Sequence, residues 1–170
     1  MSPENRALLM RANRLMGASL VEANLVKIED LEKANEKLFE IIASQNLRQS
    51  TLLGVLCNHM KVLNEDDLLS YVIEKERVGM IDLRSYDVAD ELRKSVDVAA
   101  CWATWTVPFD REDDFYSVAT AYCLSTAVRK HWEKVLNGPI IWYATTLEML
   151  ADYLEKLEQE RAAMPSLARP

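Results

Sequence analysis

The sequence predicts an α+β fold. A helical repeat subdomain of about four helices spans residues 1–79, a small three-stranded β-β-α-β-α subdomain spans 80–163, and 164–170 form a frayed tail. Three observations carry this reading. The stretch from Leu15 to Ala34 recurs, worn down, from Leu52 to Tyr71. With Gly17 set on Gly54, 37 positions on, Arg11 falls on Arg48, Leu15 on Leu52, Asp30 on Asp67 and Leu31 on Leu68. A repeat of that period is the length of a helical pair. Apolar spacing of three and four residues holds as far as Gly79, and aromatic and β-branched runs succeed it. Finally, 170 residues at 49% apolar and 28% charged can bury a core.

Ser2-Pro3-Glu4 reads as a helix start: a capping serine, a proline at the first helical position and an acid at the positive end of the dipole. Leu8, Leu9, Ala12, Leu15, Met16, Ser19 and Leu20 then form one apolar face. Gly17 within it predicts either close helix packing or a break. Asn24–Lys27 connects to a helix from about Ile28 to Ser44 with Ile28, Leu31, Ala34, Leu38, Ile41 and Ile42 inward. Polar Gln45–Ser50 links the copies. Copy two runs from about Thr51 to Met60 and from Glu65 to Glu76, with Asn64 as a natural N-cap.

Beyond Gly79, Met80–Leu83 reads as a short extended run and Tyr86–Val96 as a helix. Cys101–Val107, aromatic and β-branched, reads as a strand ended by Pro108. Asp110–Asp114 is a charged loop. Phe115–Leu124 carries apolar residues on both faces and predicts a central, covered strand. Ser125 or Thr126 caps a helix to Leu136, which Asn137-Gly138-Pro139 ends. Ile140–Ala144 is a third strand. Thr145 or Thr146 caps a last helix with Leu147, Leu150, Tyr153, Leu154 and Leu157 inward.

Composition excludes several function classes. A net charge of −7 with no basic stripe speaks against nucleic acid. Three scattered cysteines, Cys57, Cys101 and Cys123, suit reduced, buried thiols in the cytoplasm. No run is long enough to span a membrane, and the N-terminus lacks the apolar core of a secretory signal. The four glycines form neither a phosphate-cradling loop nor a dinucleotide fingerprint. His59 and His131 lie far apart, and Cys57 and His59, two apart on a helix, face different ways. No metal, cofactor or catalytic set is therefore expected. Trp102 and Trp105, three apart, would face opposite sides of a strand, leaving one as an exposed protein-contact anchor.

These motifs together resemble the N-terminal domain of type II secretion and type IV pilus assembly ATPases. That family's repeat reads R-L-G-x-x-L-V-x-x-G-x-I-x-x-x-x-L-x-x-A-L-x-x-Q. Met16-Gly17, Leu20-Val21, Val26, Leu31 and Ala34 keep the first copy, and Leu53-Gly54, Leu63 and Leu68 the second. Pro108-Phe109-Asp110, Ser117-Val118-Ala119 and Ala144-Thr145-Thr146 fit the family's second half. The resemblance covers Leu15 to Leu157. It implies a non-catalytic cytoplasmic module that docks on a secretion or pilus ATPase or on an inner-membrane platform protein. The chain stops where the family's ATPase core begins, so a stand-alone relative or isolated domain is expected.

Some members with intact motifs bind cyclic di-GMP through the repeats. Here the arginine positions hold Leu15 and Leu52, the second glycines are Asn24 and Lys61, and the closing glutamines are Leu38 and Lys75. Arginine pairs with phosphate and stacks on bases, and leucine does neither. These departures count against cyclic di-GMP. Arg14, Arg48 and Lys61 are the candidate residues of the alternative reading, a nucleotide sensor.

Overall fold

A computed structural model describes residues 1–163. The frayed tail expected at 164–170 lies outside the described residues. Helix α1 (Pro3–Glu22) starts as its sequence dictates, the Ser2 hydroxyl accepting the Asn5 N–H at 3.1 Å. It buries Leu8, Leu9, Ala12, Met16 and Leu20, each contributing up to about 1.5–3 kcal/mol for the larger side chains. Helix α2 (Ile28–Ala43) buries Ala34, Leu38, Ile41 and Ile42. Ile28, expected inward, is instead 56% exposed. It sits in the first helical turn, beside rather than on the buried stripe.

A 3₁₀ turn (Leu47–Gln49) leads into α3, which opens as three α-helical residues (Leu52–Gly54) and continues as a π-helix (Val55–His59). Helix α4 (Glu65–Glu76) is capped by Asn64, whose side-chain oxygen accepts the N–H groups of Asp66 and Asp67.

Strand β1 is the extended run at Gly79–Met80. After a 3₁₀ turn (Leu83–Ser85), α5 (Asp90–Ser95) is shorter than the expected Tyr86–Val96 helix. The Tyr86 hydroxyl instead donates to Asp110 Oδ2 at 2.5 Å, holding an extended segment against β2.

The expected strand at Cys101–Val107 is mostly helix. Asp97 accepts the Ala100 N–H at 3.2 Å and caps α6 (Val98–Thr104), where three alanines favour the helix over the aromatic content. Trp105 ends it in the left-handed region, φ 48°. Strand β2 (Thr106–Glu112) then passes through Pro108, so the expected loop at Asp110–Asp114 narrows to the turn Asp113–Asp114. The proline is tolerated because β2 is an edge strand and its register breaks beside it, between Pro108 and Asp110.

Strand β3 (Phe115–Thr120) is central, antiparallel to β2 and parallel to β4 (Ile140–Ala144). Strand β1 completes the order β1-β4-β3-β2, so the sheet has four strands where three were expected. Helix α7 (Thr126–Leu136) connects β3 to β4, and α8 (Leu147–Ala163) is the last element among the described residues. Thr146 caps α8 through the Met149 N–H. Ser125 occupies the cap position of α7, yet its hydroxyl donates to the Ala12 carbonyl at 2.9 Å and so ties α7 to α1.

One hydrophobic core joins these elements, and α1 packs chiefly on α6 and α7. A buried polar cluster crosses it. Asn13 Oδ1 accepts the Leu52 N–H at 3.0 Å and the Tyr122 hydroxyl at 2.5 Å. Asn13 Nδ2 donates to the Leu9 carbonyl, and the Thr51 and Tyr122 hydroxyls bond each other at 2.7 Å. Three separate parts of the chain are pinned together there. Buried polar groups need such partners, because each one stranded costs about 1–3 kcal/mol.

Candidate functional site

The two copies of the repeat meet at Gly17. A Cβ there would stand 2.8 Å from Leu31 Cδ1 and 3.1 Å from Leu52 Cδ2, so this glycine serves close packing and the helix does not break. The turn after each first helix is built alike. Asn24 (φ 57°) and Lys61 (φ 54°), 37 apart, both adopt the left-handed conformation that favours glycine.

Upstream of the turn the copies differ by one residue. In copy one the Leu20 carbonyl accepts the N–H groups of Leu25 and Val26, and in copy two the Leu56 carbonyl accepts those of Val62 and Leu63. The donors are 37 residues apart and the acceptors 36. The π-helix absorbs the extra residue. Leu52 therefore takes the structural place of Met16, not of Leu15. This accounts for their burial: Leu52 and Met16 are fully buried while Leu15 is half-buried.

The π-helix forms one wall of a groove of about 480 Å³. Arg48, Thr51, Asn58, His59, Glu65, Trp105 and Glu148 are among the residues that line it. Helix α8 starts in this groove, and Glu65 accepts the N–H of Leu147 at 3.2 Å. Burial raises the Glu65 carboxyl above its ordinary value, partly offset by that hydrogen bond. Arg48 is engaged by two carboxylates of α8, Asp152 at 3.2 Å and Glu155, and the Glu155 bond leads in raising its pKa. The groove therefore presents glutamates and one arginine that is already paired.

The three candidate cations do not converge. Arg48 lines the groove, whereas Arg14 is exposed on α1 and Lys61 is exposed in its turn, and neither lines it. The exposed tryptophan anchor is not found. Trp102 and Trp105 are 3% and 1% exposed and pack edge-to-face, 5.4 Å between centroids, because they lie on a helix and its terminus and not on a strand. Trp102 Nε1 donates to Glu158 Oε1 at 2.8 Å, and Trp105 Nε1 has no partner among the described residues. Desolvation pushes the Cys57 thiol up to about 12, and burial raises Cys101 and Cys123 as well.

Sequence reasoning missed the Asn13–Thr51–Tyr122 cluster, the π-helix and Glu65. A buried asparagine one turn before Gly17 was the available signal for the first. Nothing in the residue pattern marks the second.

The helical repeat followed by this mixed sheet is the fold of the N-terminal domain of type II secretion and type IV pilus ATPases. A structure of MshE with cdg (cyclic di-GMP) matches with a TM-score of 0.52 and 17% identity, over 84% of this chain and 97% of that one. The N-terminal domain of XpsE matches in two crystal forms. One has a TM-score of 0.56 and 14% identity over 85% of this chain and 94% of that one. The other has 0.52 and 16% over 91% and 96%. At these identities the likeness is one of fold. No protein-family model matches the chain, and no curated protein matches its sequence. No helix among the described residues is long and apolar enough to cross a membrane.

Proposed function

We propose that the chain is a non-catalytic docking and regulatory module of the secretion- and pilus-ATPase N-terminal type. It works in the cytoplasm and binds a component of that machinery, either an ATPase or an inner-membrane platform protein. The carrying observation is the state of the repeat's arginine positions: Leu15 is half-buried and Leu52 is part of the core. Arg48, the one candidate cation that lines the groove, is held by Asp152 and Glu155. A phosphate ligand would have to displace those carboxylates and meet Glu65 and Glu148 in the same groove. The scaffold supports docking better than anion capture.

A nucleotide-sensor reading is favoured by one observation, the fold likeness to MshE, whose structure was solved with cdg. Two measurements separate the readings. Affinity purification of the tagged chain from its own cells should retain a secretion or pilus component. Calorimetric titration with cyclic di-GMP should give no heat and leave Tm unchanged. Micromolar binding that weakens in Arg14→Ala, Arg48→Ala or Lys61→Ala would overturn the docking reading in favour of sensing.

A further inference from the structure

One side of α2 carries large apolar groups that the chain itself leaves uncovered. Phe39 and Ile28 are 58% and 56% exposed, the two most exposed large hydrophobics among the described residues. They are eleven residues apart, about three turns at 3.6 residues per turn, so they stand on one line of the helix roughly 16 Å apart. That line runs beside the face through which Ala34, Leu38 and Ile41 enter the core. Along its outer edge run Glu29, Glu32, Glu36 and Glu40, all exposed. Of these, only Glu40 has an ion pair among the described residues, with Lys37 at 3.1 Å. Lys33 and Lys37 lie farther round the helix, beyond the glutamate row.

We infer that this face docks a basic amphipathic helix of a protein partner. The partner's apolar line would cover Ile28 and Phe39, and its lysines or arginines would meet Glu29, Glu32 and Glu36. The inference rests on the docking reading above and adds the surface and the partner's chemistry. Ile28 and Phe39 stand three turns apart with Glu32 and Asn35 between them, so they offer two apolar anchors that one partner helix can span. Charge selects the occupant. A second copy of the chain would bring one glutamate row against another, on molecules that each carry a net charge of −7. An anionic lipid surface is repelled for the same reason.

The test is an NMR titration of the full chain with two synthetic amphipathic helices, one of leucine and lysine and one of leucine and glutamate. The leucine–lysine helix should bind, shift amides centred on residues 28–40, and weaken as salt is added. Phe39→Ser and Ile28→Ser should each weaken it by about fivefold or more. Val135→Ser, at an equally exposed position on α7, should leave it unchanged. Both anchors are exposed, so circular dichroism should show folded variants. The double variant Glu32→Lys/Glu36→Lys should transfer preference to the leucine–glutamate helix, which provides a second route to the same conclusion.

Binding that ignores Phe39→Ser, shifts mapped to another face, or stronger binding to phosphatidylglycerol vesicles would overturn the assignment. A machinery component retained equally by wild type and Phe39→Ser would overturn the surface and leave the docking reading intact. Retention by neither would remove both.

Discussion

Replacing Asn13 with alanine tests whether the buried polar cluster holds the repeat to the sheet half. Asn13 makes three hydrogen bonds, to the Leu9 carbonyl, the Leu52 N–H and the Tyr122 hydroxyl, and is 2% exposed. In Asn13→Ala the Tyr122 hydroxyl can still donate to Thr51, but the Leu52 N–H is left buried and unpaired. Such a stranded group costs about 1–3 kcal/mol, and the lost bond to Leu9 and the small void add to it. Alanine recovers roughly 0.6 kcal/mol of helix propensity. The net loss is then about 2–3 kcal/mol, or roughly 4–12 °C in Tm at about 2–4 °C per kcal/mol for a chain of this size. Tyr122→Phe should cost about 1–2 kcal/mol, and the double mutant should show a coupling of about 1 kcal/mol. Urea and thermal unfolding followed by circular dichroism would measure all three. A Tm for Asn13→Ala equal to wild type, or additive single effects, would refute the claim that these groups act as one cluster.

Elsewhere in the chain, Lys61→Gly should raise stability by roughly 0.5–1 kcal/mol, because a lysine at φ 54° carries a penalty that glycine lacks. Glu65→Gln should stabilise the protein at pH 7, read as a shift in urea midpoint. The folded-state carboxyl is raised, so its ionisation opposes folding; the gain should fade as pH falls toward the ordinary carboxyl value of about 4.3. Cys57, pushed up to about 12, and buried Cys101 and Cys123 should react slowly with a thiol reagent in the native state and promptly in urea. Arg48→Ala should change stability by at most about 1 kcal/mol, since its pairs with Asp152 and Glu155 are part-exposed.

Much of the architecture was legible where local chemistry is decisive. The Ser2, Asn64 and Thr146 caps and the run Ile140–Ala144 name their own elements. Residues 98–105 were not legible, because tryptophans and β-branched residues point to a strand while an aspartate cap and three alanines make a helix. Pro108 looked like an end because sequence does not say which strands are edges. The inward role expected of Ile28 failed at the margin of a stripe, where a small rotation of the helix decides burial. The departures from the repeat pattern were readable residue by residue. The geometry of the repeat was not, because the alignment of Gly17 with Gly54 hides the extra residue between Leu56 and the turn.

That extra residue limits what a substitution can do in the second copy. Because the π-helix absorbs it, each residue upstream stands one position, about 100° round the helix, from where the 37-residue alignment would put it. The upstream and downstream parts of the repeat therefore match copy one at different offsets, 36 and 37 residues. Leu52→Arg would place its guanidinium in the core, where Leu52 is buried, and would destabilise the unit. Deleting one residue within Val55–His59 should reset the offset and give position 52 the half-buried setting of Leu15. A substitution cannot undo what an insertion did.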